Sequence, residues 1–304
     1  MRQMSEGRGL RDLRGFIFDM DGVIYRGNLV LPGAPGFVKQ LRRVGVPYLF
    51  LTNNSTTPAG QVAERLVGMG IEATAHDVIT SAEATAAVLA AEMPGGRALV
   101  VGEAGIREAL VDAGLTLTDD HRDADVVVVG MDRQCTYARL RAAALAIRRG
   151  AQFVATNPDR SFPAEEGLVP GAGALVGAVE IATDVPARVI GKPALEIFRY
   201  ALRRLGTAPA QTAVVGDRPE TDVQGGQRAG LRTIAVLTGV GTAEEFAAWQ
   251  PPPDWVFGDL VGLYRAYFGI GAKAARGADF PGCQAGWKAC PTCHSYHNAY
   301  FDGG

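Results

Sequence analysis

The stretch "GFIFDMDGVIYRG" (residues 15–27) decides how the rest of the chain is read. Phe16-Ile17-Phe18 is apolar at every position, the pattern of a strand buried on both faces, as in a parallel sheet. It ends in two aspartates one residue apart, Asp19 and Asp21. Carboxylates so close repel each other, and more strongly where a strand leaves a low-dielectric core. A D-x-D-G segment taken alone is equally an ordinary turn, with Asp and Gly serving the backbone. If the pair is chemical, the rest of the chain must supply countercharge.

A second apolar run, "TAVVG" (residues 212–216), also ends in aspartate: Asp217, with Asp222 close by. In open parallel α/β sheets functional groups collect at the carboxyl ends of the strands. Four carboxylates converging there need a cation among them. Oxygen donors without His or Cys suit Mg²⁺, which keeps most of its waters and completes its shell with substrate phosphate. "LTNNST" (residues 51–56) follows the run "VPYLF" and has the hydroxyl and loop amides that cradle phosphate oxygens. Lys192, in "VIGKP", falls at a strand-to-helix junction, with Pro193 expected in the first turn of that helix. Its ammonium is a candidate for neutralising phosphoryl oxygens. Singly, a polar loop and a lone lysine are ordinary surface features. Beside four aspartates they form a set.

The surrounding chain alternates β-rich runs with segments of helical period. Strands are expected at Val46–Leu51, Ala98–Val101, Val126–Val129 and Phe153–Ala155, and again within "ARVIGK", "TAVVGD" and "RTIAVL". Phe37, Leu41 and Val44 share a helix face that Gly45 ends, Tyr137–Arg149 reads as another helix, and Thr80 with Glu83 has capping-box spacing. Single helices between strands imply crossovers and mainly parallel sheets. "MPGG" (residues 93–96) and "ATDVPA" (residues 182–187) are the soft boundaries. They divide the chain into a discontinuous core of 13–94 and 188–270, an inserted α/β unit of 95–187, a flexible start of 1–12 and a Gly-rich tail of 271–304.

Four short motifs, "DMDGV", "LTNNS", "GKP" and "GDRPETD", in this order and spacing, resemble those of the haloacid dehalogenase superfamily. The segment "ATNPDRSFPAEEGLVPGAGAL" (residues 155–175) is further similar to the p-nitrophenyl-phosphatase, or NagD-like, subfamily (IIA). The resemblance covers about residues 15–268. It implies a Rossmann-like parallel core with an inserted C2-type α/β cap, and a Mg²⁺-dependent phosphatase of small phosphomonoesters. In this sequence the family's nucleophile falls on Asp19 and its general acid/base on Asp21. Phosphate binding falls on Thr52, Asn53, Asn54 and Lys192. The metal ligands fall on Asp19, the main-chain carbonyl of Asp21, and Asp217, with Asp222 as a further ligand or outer support.

Members that cleave carbon–halogen bonds lack the second aspartate, so Asp21 speaks for phosphoryl transfer. Family mutases carry a helical cap between the first two motifs, where this chain has room only for a hairpin flap and one helix. Cap residues Asn157, Asp159 and Phe162 are implied to select the substrate. Related enzymes act on p-nitrophenyl phosphate, phosphoglycolate, nucleoside monophosphates, glycerol phosphates or pyridoxal phosphate. Those acting on pyridoxal phosphate carry a histidine where Phe162 stands, which argues against that substrate. Relatives often pair through their caps, so a homodimer is a further expectation.

Other readings fare worse. A dinucleotide-binding enzyme needs a glycine-rich turn after its first strand, where this chain has aspartates; "PGAGALVG" (residues 170–177) has G-x-G but no clear preceding strand. A phosphate sensor on the same fold would typically lack Asp19 or Asp21. The net charge of −2, from 30 basic and 32 acidic residues, carries no nucleic-acid or membrane signal. No run reaches the length of a membrane span, and the start lacks a signal-peptide h-region. The body of the chain is nearly free of cysteine, which fits a reducing cytoplasm. In the tail, "CPTCH" has the form of haem attachment, and Cys283, Cys290, Cys293, His294 and His297 have the ligand types of a zinc site without a standard spacing. The simpler reading is a disordered tail with incidental cysteines.

Overall fold

The computed structural model describes residues 9–164 and 167–270. The expectations for residues 1–8 and for 271–304, including Cys283, Cys290, Cys293, His294 and His297, lie outside them. The chain opens with β1 (Gly15–Phe18), the hairpin β2 (Tyr25–Arg26) and β3 (Leu29–Val30), α1 (Ala34–Val44), β4 (Tyr48–Thr52), α2 (Ala59–Gly68), β5 (Val78–Thr80) and α3 (Ser81–Glu92). It continues with β6 (Arg97–Val101), α4 (Ala104–Asp112), β7 (Thr116–Leu117), β8 (Val126–Val129), α5 (Tyr137–Arg148), β9 (Gln152–Ala155), β10 (Ser161–Ala164), β11 (Gly167–Pro170), α6 (Ala172–Thr183) and β12 (Arg188–Val189). Then come α7 (Leu195–Leu205), β13 (Thr212–Gly216), α8 (Gln224–Arg228), β14 (Arg232–Val236), α9 (Ala243–Ala248), β15 (Trp255–Phe257) and α10 (Leu260–Phe268).

The fold is mixed α/β, built on two parallel sheets. One has the order β15-β14-β13-β1-β4-β5, the other β12-β9-β8-β6-β7. Their central strands, β1, β8 and β13, are buried at every residue because helices cover both faces. From β1 the chain winds outward to β4 and β5, then returns after the second sheet to β13 on the other side of β1. In open α/β sheets such a reversal is where ligand sites form, here at the carboxyl ends of β1 and β13.

On one face of the first sheet Phe16, Phe18, Phe37, Phe50 and Tyr267 form an aromatic cluster, with ring centroids 5.0–6.3 Å apart. The other face does not end at the sheet. Ile17, Leu49, Leu51 and Ile79 join Ala82, Ala86, Ile106, Val126, Val128 and Val154 in one apolar cluster that spans both sheets. The alanines of α3 let its backbone come close to both partners, so the two units share a core.

Several expectations need correction. Arg188–Val189 does not reopen the first sheet; it pairs with Val154–Ala155 in the second. The Ile190 and Gly191 N–H groups extend that ladder to Ala155 and Thr156, so the chain leaves the second sheet only at Lys192. Pro193 does not begin a helix. A turn closed by the Ala194 N–H on the Gly191 carbonyl intervenes, and α7 starts at Leu195. Thr80 caps α3 by accepting the Glu83 N–H, but the Glu83 carboxylate binds Arg204 and Tyr200 instead of closing the box. A strand does precede "GAGALVG": β11, whose exposed residues give it no apolar signature. Leu10–Asp12, assigned to the flexible start, form a turn that buries Leu10. Gly45 ends α1 in the left-handed region at φ 72°, but Val44 is 49% exposed, for α1 runs past its partners there.

Phe37→Ala should therefore lower stability by about 3–5 kcal/mol, as loss of a buried aromatic does. Val44→Ala should stay within about 0.5 kcal/mol, as expected for an exposed site. Urea unfolding of the two variants checks this, and comparable losses would contradict the packing.

Candidate active site

β1 hands the chain to Asp19, whose N–H bonds to the Val215 carbonyl of β13 at 2.8 Å. β13 hands the chain to Asp217. The sheet register thus brings two carboxylates, 198 positions apart in sequence (217 − 19), to one crevice. Asp222 reaches the same point from the turn after β13, and Asp19, Asp217 and Asp222 each offer an oxygen within 4.8 Å of the others. Lys192 Nζ donates to Asp19 Oδ1 at 2.6 Å and to Asp222 Oδ1 at 2.7 Å. The other Asp222 oxygen accepts from the Arg218 N–H and the Thr221 hydroxyl.

Burial sets the electrostatics. Asp19 is held well above the usual carboxylate range by burial, with Lys192 pulling down and Asp222 and Asp217 pushing up. Burial and the charge of Asp222 push Asp217 up to about 6. For Lys192 burial opposes the charge, but Asp19 and Asp222 outweigh it and its pKa rises. Once all are ionised, three carboxylates against one ammonium leave two negative charges uncompensated, the complement of a divalent cation.

Asp217 supports the same conclusion. Its Oδ2 accepts the Val240 N–H at 2.7 Å, while its Oδ1 is buried without any hydrogen-bond partner. An orphaned buried oxygen is expensive unless something else coordinates it. Gly22 and Gly239 wall this aspartate so closely that a Cβ on either would strike its carboxylate. All donors are oxygen, so the group fits a hard divalent ion.

Asp21 stands apart. Its carboxylate keeps contact with solvent at the base of the β2–β3 flap and is not in the three-carboxylate group. The protein around it raises its pKa, burial outweighing the charges of Arg218, Arg65 and Arg26. Two of these guanidiniums brace the flap: Arg65 donates to the Gly27 carbonyl at 2.5 Å and Arg26 to the Thr238 carbonyl at 2.6 Å.

The loop after β4 is closely bonded. Thr52 Oγ1 accepts the Asn54 N–H, which leaves its own hydroxyl proton to donate elsewhere. The Asn54 side chain bonds the Thr56 N–H and hydroxyl and so shapes the turn. The Asn53 side chain is engaged with Asp159 and with the main chain of Lys192. Of the cap residues, Asn157 is buried and bonded to the Asn53 carbonyl, whereas Phe162 is exposed on β10, across the hairpin from Val169. Gly239, Val240 and Ser81, whose hydroxyl donates to the Asn53 carbonyl, escape the sequence reading. A local signal for Gly239 and Val240 is the density of glycine in "TGVG" (residues 238–241).

The chain is similar to known hydrolases. Residues 16–116 match the family model described as haloacid dehalogenase-like hydrolase, and residues 189–263 match a second hydrolase model of the same group. The acid sugar phosphatase of Staphylococcus aureus is 41% identical over 251 residues, covering 83% of this chain and 96% of its own. Among solved structures, a thermostable p-nitrophenyl phosphatase variant from Geobacillus stearothermophilus aligns with a TM-score of 0.77 at 40% identity, covering 82% of this chain and 97% of its own. The p-nitrophenyl phosphatase from Archaeoglobus fulgidus gives 0.79 at 37%, covering 84% and 99%.

The chain belongs to the haloacid dehalogenase-like hydrolase family. Within it, the chain falls in the p-nitrophenyl-phosphatase subfamily and is a phosphoric monoester hydrolase acting on small-molecule phosphates. Hydrolases of this family generally use a divalent metal, and the three-carboxylate group is able to bind one. Among the described residues, no helix is long and apolar enough to cross a membrane.

The raised pKa of Asp217 has a consequence for stability. The folded protein holds this proton more tightly than the unfolded chain, so the stabilisation is complete below about pH 4 and is lost as pH rises through about 6. In chelator, Asp217→Asn should match the parent in Tm at acid pH. It should become more stable at pH 8, by on the order of 1–3 kcal/mol. Added Mg²⁺ should then raise the Tm of the parent and not of the variant. Calorimetry across pH 4–8 reads both effects, and a pH-independent difference would refute the assignment.

Proposed function

We propose that the chain hydrolyses small phosphomonoesters through a covalent phosphate on Asp19, with Mg²⁺ held by Asp19, Asp217, the main-chain carbonyl of Asp21 and, directly or through an outer contact, Asp222. The observation that carries this reading is the meeting of Asp19, Asp217 and Asp222 around Lys192 at one sheet edge. Asp19 commits one carboxylate oxygen to Lys192 and attacks phosphorus with the other. As that bond forms, the bond from phosphorus to the leaving oxygen breaks, and Asp21 protonates the departing alkoxide. Water then attacks the phosphate on Asp19, Asp21 takes up its proton, and inorganic phosphate leaves with the Asp19 carboxylate restored. A raised pKa suits Asp21 to the acid half of this cycle.

The Thr52 hydroxyl, the loop amides and the Lys192 ammonium hold the transferring oxygens. When bound, the metal offsets charge on the cluster and on the phosphoryl group. The names of the relatives, an acid sugar phosphatase and p-nitrophenyl phosphatases, support sugar phosphates and aryl phosphates as the first substrates to test. Phe162, exposed on the hairpin that follows Asp159, is the side chain proposed to choose among leaving groups.

Asp19→Asn should fold and lose turnover almost completely, because an amide is no nucleophile. Asp21→Asn should lose roughly 10²–10⁴-fold on alkyl phosphates. It should lose far less on p-nitrophenyl phosphate, whose leaving group needs little protonation. Single-turnover phosphorylation of the enzyme by both esters checks this; equal losses would remove Asp21 from the acid role.

Phe162→Ala should alter kcat/KM unequally across a panel of phosphomonoesters while leaving inhibition by inorganic phosphate unchanged. A uniform shift across that panel would make Phe162 a packing residue.

A further inference from the structure

Asn53 has more defined partners than a phosphate-loop residue needs. Its side-chain Oδ1 accepts the Lys192 N–H at 2.8 Å, while Nδ2 donates to the Lys192 carbonyl at 3.1 Å. The same Nδ2 donates to both carboxylate oxygens of Asp159, at 3.3 and 3.2 Å. The amide orientation follows from the partners: turned over, its oxygen would face a carboxylate and a carbonyl, and its NH₂ would face an N–H. Every polar atom of the side chain is therefore used within the protein.

The main chain of Asn53 is held in the same way. Its carbonyl accepts Ser81 Oγ at 2.7 Å from α3 and Asn157 Nδ2 at 2.8 Å from the loop after β9. Asn157 in turn accepts the Asp159 N–H through its Oδ1. Gly191 closes the arrangement, because a Cβ there would stand 2.8 Å from Asn53 Oδ1 and closer still to the Thr156 carbonyl. Both main-chain polar groups of Lys192 thus end on one side chain 139 positions away in sequence.

We infer that Asn53 is a positioning residue: it clamps the main chain of Lys192, is itself anchored by Asp159 across the two sheets, and does not contact phosphate through its side chain. Asp159 acts through Asn53 and not on the substrate. The inference deepens the role proposed for Lys192 and rests on it. Displacing this clamp moves the lysine stem relative to Asp19 and Asp222, so it degrades the chemical step more than substrate binding.

A double-mutant cycle tests it. Asn53→Ala and Asp159→Ala should each lower kcat about 10-fold or more, with little change in KM or in inhibition by inorganic phosphate. The double variant should be no worse than the poorer single one, since both break the same linkage. Hydrogen exchange of the amides at 190–194 should rise in each variant, a readout independent of turnover. Asn53→Asp sets two carboxylates against each other and should be the worst single variant. Asn53→Asp with Asp159→Asn restores a donor facing an acceptor and should recover part of that loss; a swap no better than Asn53→Asp overturns the pairing even if an alanine variant does not fold.

Multiplicative losses in the cycle also overturn it. So does a weaker phosphate inhibition in Asn53→Ala with Asp159→Ala silent, which makes Asn53 a direct phosphate ligand. Lys192→Ala separates the underlying reading. Retained turnover there would refute the role of the lysine while the exchange data still report the clamp.

Discussion

Charge compensation at the junction of β1 and β13 governs how this protein is built. Asp217, Asp222 and Lys192 are nearly inaccessible and Asp19 only slightly less so. Removing such groups from water costs several kcal/mol each unless they are paired and hydrogen-bonded. Lys192 pairs with two of the carboxylates, and main-chain N–H groups of Arg218 and Val240 satisfy further oxygens. One oxygen of Asp217 is left over. The fold thus holds a deficit of positive charge at a fixed point, the complement of a divalent cation. The same deficit explains the glycines at 22 and 239, since the carboxylate occupies the space a side chain would need.

Rigidity around that point comes from how the two sheets are joined. They share one apolar cluster through the alanines of α3, so the inserted unit is packed on the core over a broad face. Polar contacts take over nearer the site. Ser81, Asn157 and Asp159 converge on Asn53, and Asn53 converges on Lys192. A lysine on a loop between two sheets would otherwise be held only by its own side chain. Fixing its main chain from the opposite loop converts a flexible stem into a defined one, and pre-organised charge is what stabilises phosphoryl transfer without reorganisation at the moment of reaction.

The carboxylate cluster and the β10–β11 hairpin belong to different parts of the chain. The polar site groups come from the ends of β1, β4 and β13 in the first sheet, and from Lys192, where the chain leaves the second. The β10–β11 hairpin instead presents Phe162 and Leu168 to solvent on two short strands with no other sheet partner. Side chains on such a hairpin can change with little effect on core packing.

Much of this was legible in local sequence. Phe16-Ile17-Phe18 followed by Asp19 states a buried strand ending in a carboxylate, and "TAVVG" before Asp217 states the same again, because a strand's burial and its end are local properties. Glycine at 45 as a helix stop and threonine at 80 as a cap are local for the same reason. What required the folded structure depends on partners distant in sequence. The charge of Glu83 was visible, but whether it closed a capping box or bound Arg204 depended on where α7 lies. The boundary at residues 182–187 assigns Arg188–Val189 to the first sheet, and only hydrogen bonding to Val154–Ala155 reveals that it belongs to the second. β11 carried no apolar pattern because a solvent-facing hairpin needs none. The motif resemblance names Asn53 and Lys192 separately, each as a candidate for binding phosphate. That one holds the other, through an amide whose orientation only its partners define, is a fact of tertiary structure alone.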